Sequence, residues 1–225
     1  MRIVHAAGVE GAREARGVVV VIDVLRAFTV SAYALAGGAR EVVYVADLER
    51  ARALAAGIPG AVLCAEVDGL PVEGIPISNS PTMIAAADLA GRTLVQRSSA
   101  GVQSLAAAAG ARQLFAAGLV VAGATAREVL RLEPELVTLV ASRVDHAEDL
   151  ACTGYLAGLL EGATPDLAAL LVPLRTSSRY AELAGDRVPG FPSTDLELAL
   201  ALDRFDFALP VERSVDGLLR VRRSP

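Results

Sequence analysis

The sequence contains no lysine and no tryptophan, and it has only two cysteines and two histidines in 225 residues. Without lysine there is no Schiff-base nucleophile, no P-loop lysine and no lysine general base, so any side-chain cation that holds an anion is arginine. Cys64, Cys152, His5 and His146 show no CxxC pair and no metal-ligand spacing, which argues against zinc and against a disulfide in a reducing compartment. A net charge of −5 and few aromatic residues argue against a nucleic-acid partner.

Long hydrophobic runs are also missing from the chain. The longest uninterrupted apolar or glycine stretch, residues 114–124, is much shorter than the roughly 18 residues of a membrane span. Polar residues such as Arg2 and His5 interrupt the start, so we expect no signal peptide, no membrane partner and a cytoplasmic protein. Hydrophobic residues make up 53% of the chain, enough for a folded core. We expect a single α/β domain over residues 1–225, or two joined lobes with a site between them.

Short β-branched runs alternate with alanine- and leucine-rich segments of helical spacing. This alternation predicts a three-layer αβα fold with a mostly parallel or mixed central sheet. Predicted strands cover residues 18–22, 41–45, 61–65, 92–96, 112–116 and 136–141, with two closing strands at 205–211 and 217–222. Predicted helices cover residues 29–36, 48–56, 82–89, 102–109, 126–132, 145–160, 165–171 and 194–202.

One strand-loop-helix unit occurs twice in the sequence, near residue 19 and again near residue 93, each time followed by Gly-Ala-Arg and a strand. If this is a duplication, the loops 23–27 and 97–101 lie at the carboxyl ends of two parallel strands, where open α/β sheets bind ligands. Chance similarity in an alanine-rich chain is the alternative.

Asp23 follows the most apolar predicted strand, and Arg26 and Thr29 come shortly after it. A carboxylate at this position can ligate Mg²⁺, which prefers hard oxygen ligands. Arg26 and the amides of the next helix can hold a phosphate. The alternative is that Asp23 caps the helix and Arg26 is a surface charge.

The loop at 66–81 carries three carboxylates and then Ser78, Asn79 and Ser80 before Pro81. These polar groups around a predicted helix start favour an anion site, with ordinary turn and cap chemistry as the alternative.

The turn that begins at Arg97 and contains Ser98 and Ser99 has the composition of a phosphate cradle but lacks the glycine density of a P-loop. Arg175 and Arg179 are four residues apart, so on one helix they could grip a dianion, or they could form a surface patch.

Glu148 and Asp149 fall in the first turn of a predicted helix, where acidic residues are favoured electrostatically in any case. His146 could take part in acid-base chemistry, although a histidine at a helix start also has structural explanations. Cys152 is expected to pack against small residues rather than to act as a nucleophile.

Two segments resemble the 2-phosphosulfolactate phosphatase family, the ComB-like proteins of coenzyme M biosynthesis: Val-Ile-Asp23-Val-Leu-Arg26-Ala, and the run from Gly74 to Pro81. Segments at 95–101, 148–152 and 207–211 match in the same order, so the resemblance covers about residues 18–212. The turn after residue 96 departs from the family, because it lacks the asparagine of a Thr-Thr-Asn-Gly-Thr-like loop.

The resemblance implies a Mg²⁺-dependent phosphatase that hydrolyses 2-phospho-3-sulfolactate, or a related phosphorylated hydroxy acid, to 3-sulfolactate and phosphate. Asp23 and Glu66 would hold the metal, and Asp23, Glu148 and Asp149 would be the catalytic acids. The expected substrate-binding residues are Arg26, Ser78, Asn79, Ser80, Arg97, Ser98 and Ser99. The partner would be a small phosphorylated acid, and a homodimer stays open.

Arg26 and Arg97 are expected to face one anionic pocket and to contribute little to folding. The alternative function is a catalytically altered family member that binds a phosphorylated or sulfonated acid without hydrolysis. A nucleotide-binding Rossmann protein is disfavoured because no Gly-x-Gly-x-x-Gly follows a strand. Whether a phosphoaspartate forms on Asp23 is left open, since Leu25 stands where the haloacid-dehalogenase pattern has a second aspartate.

Overall fold

Ten strands and eleven α-helices build residues 1–223, the part of the chain that the computed structural model describes. The strands are β1 (Arg2–Ala7), β2 (Gly17–Ile22), β3 (Glu41–Tyr44), β4 (Val62–Val67), β5 (Leu70–Pro71), β6 (Thr93–Arg97), β7 (Ala111–Ala117), β8 (Leu136–Ala141), β9 (Leu209–Arg213) and β10 (Leu219–Val221). The helices are α1 (Gly8–Glu14), α2 (Ala27–Ala36), α3 (Leu48–Gly57), α4 (Pro81–Ala85), α5 (Gly101–Ala107), α6 (Ala122–Arg131), α7 (Ala147–Leu160), α8 (Leu167–Leu170), α9 (Val172–Arg175), α10 (Ser178–Ala184) and α11 (Thr194–Leu200). None of these helices has both the length and the apolar character needed to cross a membrane.

All ten strands belong to one sheet in the order β1-β8-β2-β7-β9-β10-β3-β6-β4-β5. The first four strands in this order are parallel to one another, and so are β3, β6 and β4. The antiparallel hairpin β9–β10 pairs with β7 on one side and with β3 on the other. The two parallel blocks therefore run in opposite directions, and the predicted mixed, mostly parallel sheet is confirmed.

Alternate residues of β2 point into two different hydrophobic cores. Val19 and Val21 pack in a core with residues of α2 and α5, whereas Val18, Val20 and Ile22 pack in a core with residues of α6 and α7. Because successive side chains of a strand point to opposite faces, helices cover both faces of the sheet at this strand. The predicted three-layer α/β architecture follows from this arrangement.

The six strands predicted before residue 142 all occur, with ends that differ by at most two residues. β1 and α1 are absent from the prediction, because the half-exposed edge strand β1 carries Arg2 and His5 and has no continuous apolar run. The helix predicted at 82–89 ends early, since the backbone beyond α4 forms three-residue turns such as Ala87 N to Ile84 O. The helix predicted at 165–171 is replaced by α8 and α9, and Pro173 in the first turn of α9 marks the break.

Candidate functional site

A cavity of about 590 Å³ opens between the loops after β2, β4, β6 and β8 and the helix α10. Ligands of open α/β sheets bind beyond the carboxyl ends of strands, which is where these loops lie. Its polar and charged lining residues are Asp23, Arg26, Glu66, Asp68, Asn79, Ser99, Arg143, His146, Ser178, Arg179 and Glu182. Five of the residues assigned to metal or substrate are therefore brought together: Asp23, Arg26, Glu66, Asn79 and Ser99. His146 and Arg179, the candidates for acid-base chemistry and anion binding, line the same cavity.

Asp23 is buried at the end of β2 and holds two backbone amides. Its Oδ1 accepts a 3.0 Å hydrogen bond from Ala27 N, and its Oδ2 accepts a 2.9 Å bond from Gly101 N. A Cβ atom on Gly101 would lie 2.6 Å from Oδ2, so only glycine permits this approach. Burial raises the pKa of Asp23 to about 6, and the negative charges of Glu66 and Glu148 add to the shift.

Glu66 lies at the end of β4 and binds the loop that follows β6. Its carboxylate accepts hydrogen bonds from Ser99 N and Ser99 Oγ, and its Oε2 accepts a 2.6 Å bond from Gly69 N. Asp68 and Gly69 both have positive φ, 52° and 81°, and form the two-residue turn of the β4–β5 hairpin. The turn therefore places Asp68 at the cavity. The Glu66 carboxylate links this turn to Ser99 by hydrogen bonds to both.

The loops 23–27 and 97–101 meet at the cavity through the bond from Gly101 N to Asp23 Oδ2. The expectation that both loops end strands of one parallel set is wrong, because the β9–β10 hairpin reverses the direction of the block that contains β6. The two loops are juxtaposed all the same, and the candidate site lies between the two blocks of the sheet.

Arg26 lines the cavity but is already engaged by protein groups. Its Nη1 lies 2.9 Å from Asp195 Oδ2 and donates to Gly190 O at 2.6 Å. The guanidinium also stacks over the Phe191 ring, 4.4 Å from its centroid. Asp195 is not among the predicted residues, because an acid in the first turn of α11 carries no local signal beyond ordinary helix electrostatics.

Three serines assigned to substrate binding, Ser78, Ser80 and Ser98, do not line the cavity. Ser80 and Ser98 accept hydrogen bonds from backbone amides at the starts of α4 and α5, while Ser78 donates to Gly190 O. The hydroxyls are used to hold the chain in place, so the structure brings only Asn79 of the 78–80 turn to the site.

Arg97 also lies outside the cavity lining. Its guanidinium donates to Glu66 O, Ser99 Oγ and Ala46 O. Arg97 therefore stabilises the chain segments around Glu66 and Ser99 from outside the cavity. The pocket predicted to be shared by Arg26 and Arg97 is therefore not formed.

Asp149 is fully buried and does not line the cavity. Its Oδ1 accepts a 2.8 Å bond from Val24 N, and its Oδ2 accepts a 2.7 Å bond from Ser142 Oγ. Burial and the charges of Asp23 and Glu148 raise its pKa well above the usual value. Asp149 thus joins the loop after β2 to the end of β8, and the structure does not place it where a substrate binds.

Glu148 is also fully buried, one residue earlier on α7. Its Oε1 accepts a 2.6 Å bond from Arg179 Nη1 and lies 3.5 Å from His146 Nδ1. Its Oε2 has no hydrogen-bond partner within residues 1–223. Glu148 therefore holds two cavity-lining groups, Arg179 of α10 and His146, without lining the cavity itself.

Three basic side chains face the cavity from the side of α7 and α10: Arg143, His146 and Arg179. Burial and the neighbouring positive charges lower the pKa of His146, and Glu148 opposes this shift only in part. Arg143 follows β8 and is not among the predicted residues, although its place after a buried strand is a signal that could have found it. Arg175 and Arg179 do not share one helix, because Ser177 caps a new helix between them, so the alternative in which the two arginines grip one dianion from a shared helix face is not realised.

The donor set at the cavity fits a magnesium ion held partly by a substrate. Within residues 1–223 no group of three or more acidic, histidine or cysteine residues is arranged as a metal cage. Asp23 and Glu66 nevertheless present two carboxylates to the same cavity, each with one or more oxygen lone pairs beyond those that the amides use. Mg²⁺ is commonly bound by one or two carboxylates, with waters and phosphate oxygens completing its shell.

Comparison with known proteins gives one consistent result. The sequence model of a family described as 2-phosphosulpholactate phosphatase matches residues 5–185. A probable 2-phosphosulfolactate phosphatase of Bacillus subtilis (strain 168) is 34% identical over 197 residues, which cover 86% of this chain and 86% of the relative. Similarly named proteins of Carboxydothermus hydrogenoformans and Prochlorococcus marinus (strain MIT 9303) are 39% and 36% identical, over 63% and 68% of this chain and 60% and 65% of theirs. The matched family region contains Asp23, Glu66 and Arg179 but ends before Asp195.

Proposed function

This chain belongs to the 2-phosphosulfolactate phosphatase family, and from that premise we propose that it hydrolyses 2-phospho-3-sulfolactate, or a related phosphorylated hydroxy acid, to the hydroxy acid and phosphate. One observation carries the proposal: a single cavity contains the carboxylates of Asp23 and Glu66 together with Arg26, Arg143 and Arg179. The proposed substrate carries a phosphate, a carboxylate and a sulfonate, so it needs several cations as well as groups that can hold a metal.

Mg²⁺ is the metal of this proposal, and Asp23 and Glu66 are the residues that would hold it. When bound, it supplies positive charge to the phosphoryl oxygens as they become more negative during transfer. Without a cation, the negative charge of Glu66 opposes the ionisation of Asp23, and the raised pKa of Asp23 reflects burial first and this repulsion in addition. A divalent ion would offset both the cost of burying the charged Asp23 carboxylate and its repulsion by Glu66.

The chain's own residues bind and orient the substrate. Arg143 and Arg179 offer guanidinium groups to the acid groups, since charge-assisted hydrogen bonds from arginine suit carboxylate, sulfonate and phosphate oxygens. Ser99 adds a hydroxyl close to Glu66. Water is the nucleophile of this proposal, because Asp23 and Glu66 are the carboxylates assigned to the metal.

Phosphate release from a panel of phosphorylated hydroxy acids tests the proposal, with the purified protein assayed in Mg²⁺ and in EDTA. We expect release in Mg²⁺ only, and its loss in Asp23→Asn, whose neutral amide is a poor ligand for a hard cation. The NH₂ group of the introduced amide would also point at one backbone N–H, so a moderate loss of thermal stability should accompany the loss of activity. The surface variant Asp88→Asn is the matched control and should release phosphate at the wild-type rate.

Binding without release is the outcome that would favour the second function, a protein that retains a phosphorylated or sulfonated acid. Calorimetric titration with the same panel distinguishes the two. Tight binding of a phosphorylated acid, with no phosphate released in Mg²⁺, would contradict the phosphatase proposal.

A further inference from the structure

A chain of buried polar side chains leads from the interior of the sheet to the wall of the cavity. Tyr44 donates to Ser31 Oγ at 3.0 Å, and Ser31 donates to Gln96 Oε1 at 2.7 Å. Gln96 Nε2 then donates to Asn79 Oδ1 at 2.9 Å. Gln96 is fully buried and does not line the cavity, whereas Asn79 is 4% exposed and does.

One backbone carbonyl fixes the orientation of the Gln96 and Asn79 side-chain amides. Gln96 Nε2 donates a second hydrogen bond, of 2.7 Å, to Ala27 O at the start of α2. A carbonyl oxygen can only accept, so the nitrogen of the Gln96 amide must be the atom that faces it. The same NH₂ group reaches Asn79, and Asn79 must therefore present its oxygen to Gln96.

The orientation of Asn79 follows from this constraint. Its Oδ1 accepts the hydrogen bond from Gln96, whereas none of the hydrogen bonds within residues 1–223 uses its Nδ2, and this nitrogen is not one of the fully buried side-chain atoms left without a partner. The Nδ2 branch is consequently the one that is left for the cavity. The carboxylates in the cavity can only accept hydrogen bonds. The two N–H bonds of Nδ2 are donors and are therefore suited to bind an anionic oxygen.

We infer that Gln96 is a positioning residue, which holds the Asn79 amide with its N–H bonds toward the cavity so that they donate to an oxygen of the substrate's phosphate or acid group. This inference rests on the proposed function. If Gln96 did not hold it, the Asn79 amide could turn over and present Oδ1, which repels an anion instead of binding it.

The variant Gln96→Leu tests the inference, because leucine is similar in size to glutamine but is apolar and cannot form the hydrogen bond to Asn79. Inorganic phosphate is the calorimetric probe, with MgCl₂ present. We expect its Kd, and the KM for phosphate release, to rise about 10- to 100-fold, the worth of a hydrogen bond to a charged group, while kcat changes much less.

Thr125→Val is the matched control, because it removes a buried 2.8 Å hydrogen bond to Val121 O at a residue that does not line the cavity. Both variants should lose thermal stability, but only Gln96→Leu should lose affinity. Equal changes in Kd in the two variants, or a wild-type Kd in folded Gln96→Leu, would overturn the inference.

A second measurement on the wild-type protein covers the case in which Gln96→Leu fails to fold. The side-chain amide ¹H–¹⁵N signals of Asn79, assigned by their absence in Asn79→Asp, should shift when phosphate is added. If they stay in place while the Ser99 backbone signal shifts, the inference fails and the proposed function stands. If they shift but no phosphorylated acid is hydrolysed, the proposed function fails and the positioning role stands. A wild-type protein that binds no phosphate overturns both.

Discussion

The guanidinium of Arg26 and the carboxylate of Asp195 form a buried ion pair, with Nη1 2.9 Å from Oδ2 and side-chain exposures of 4% and 0%. The other carboxylate oxygen accepts hydrogen bonds from Ser80 Oγ and Thr82 N. One carboxylate on α11 therefore joins the loop after β2 to the start of α4. Arg26 serves the fold as well as the cavity.

Replacing Arg26 should cost far more stability than the sequence led us to expect. Arg26→Ala leaves the Asp195 charge buried without its partner, which should lower the free energy of unfolding by about 3–5 kcal/mol. Urea denaturation measures this loss. Arg13→Ala is the control, because Arg13 pairs with Glu10 on the surface and should change stability by less than about 1 kcal/mol. Equal midpoints for Arg26→Ala and the wild type would show that the buried pair does not form in solution.

Asp149 should make the folded state less stable as the pH rises. Its pKa is raised in the folded protein, mainly by burial, so the folded state binds its proton more tightly than the unfolded state does. The free energy of unfolding should therefore fall as the pH rises above about 4, the pKa of an unfolded aspartate. Asp149→Asn has no such titration, can still accept from Val24 N, and can donate to Ser142 Oγ. Its advantage in thermal stability over the wild type should grow as the pH rises above about 4.

The same variant separates a structural role of Asp149 from a catalytic one. Phosphate release by Asp149→Asn should stay close to that of the wild type, because the side chain does not line the cavity. Asp149→Ala, which loses both hydrogen bonds, should be less stable at every pH. A stable Asp149→Asn that releases no phosphate would restore the catalytic assignment made from the sequence.

Glu148 and Arg179 should behave as one unit in substrate binding. Arg179→Met removes a cation from the cavity, and the KM should rise about 10- to 150-fold if that cation binds an anionic group. Glu148→Gln should raise the KM by a smaller factor, because Arg179 then lacks the charge that holds it in place. The double variant should show no greater KM than Arg179→Met alone, as expected for coupled residues. Additive effects on KM would mean that Glu148 acts on the substrate independently of Arg179.

Gly101 should tolerate no side chain. The Cβ atom of Gly101→Ala would lie 2.6 Å from Asp23 Oδ2 and 3.0 Å from a ring carbon of Phe28, so the loop must move away from Asp23. We expect large losses of phosphate release and of thermal stability. Gly57→Ala at the end of α3 is the control, because no atom lies within 4 Å of its new Cβ and alanine favours a helix by roughly 1 kcal/mol. Wild-type activity in Gly101→Ala would refute the placement of Asp23 against this amide.

The parts of the fold that the sequence could predict are those set by local pattern. β2 reads as a strand because five consecutive apolar residues, 18–22, are buried on both faces of the sheet. Asp23 could be proposed because an acidic residue directly after an apolar strand stands out, and Glu66 because it is one of three carboxylates in the loop 66–81. The order of the strands in the sheet could not be predicted from the sequence, since the β9–β10 hairpin lies between two parallel blocks of strands that come much earlier in the chain.

The residues that the sequence could not assign are those placed by tertiary packing. Arg179 reaches the cavity because α10 folds back over α7, and the spacing from Arg175 misleads since the two lie on different helices. Asp195 lies within a helix and Gln96 within a strand, neither belongs to a recognisable motif, and only their distant partners show what they do. Arginine is a residue type that often binds anions, but the Arg97 guanidinium donates to the backbone carbonyl of Glu66 instead.

The hairpin at the middle of the sheet gives this protein a late step in its assembly on the ribosome. While residues 209–221 are still unsynthesised, β7 and β3 have no strand between them, and each is the bare edge of a separate smaller sheet. Such edges are templates for pairing with other chains. We therefore expect a chain that lacks β9 and β10 to aggregate more readily than the complete fold, in which the hairpin joins the two blocks into one sheet.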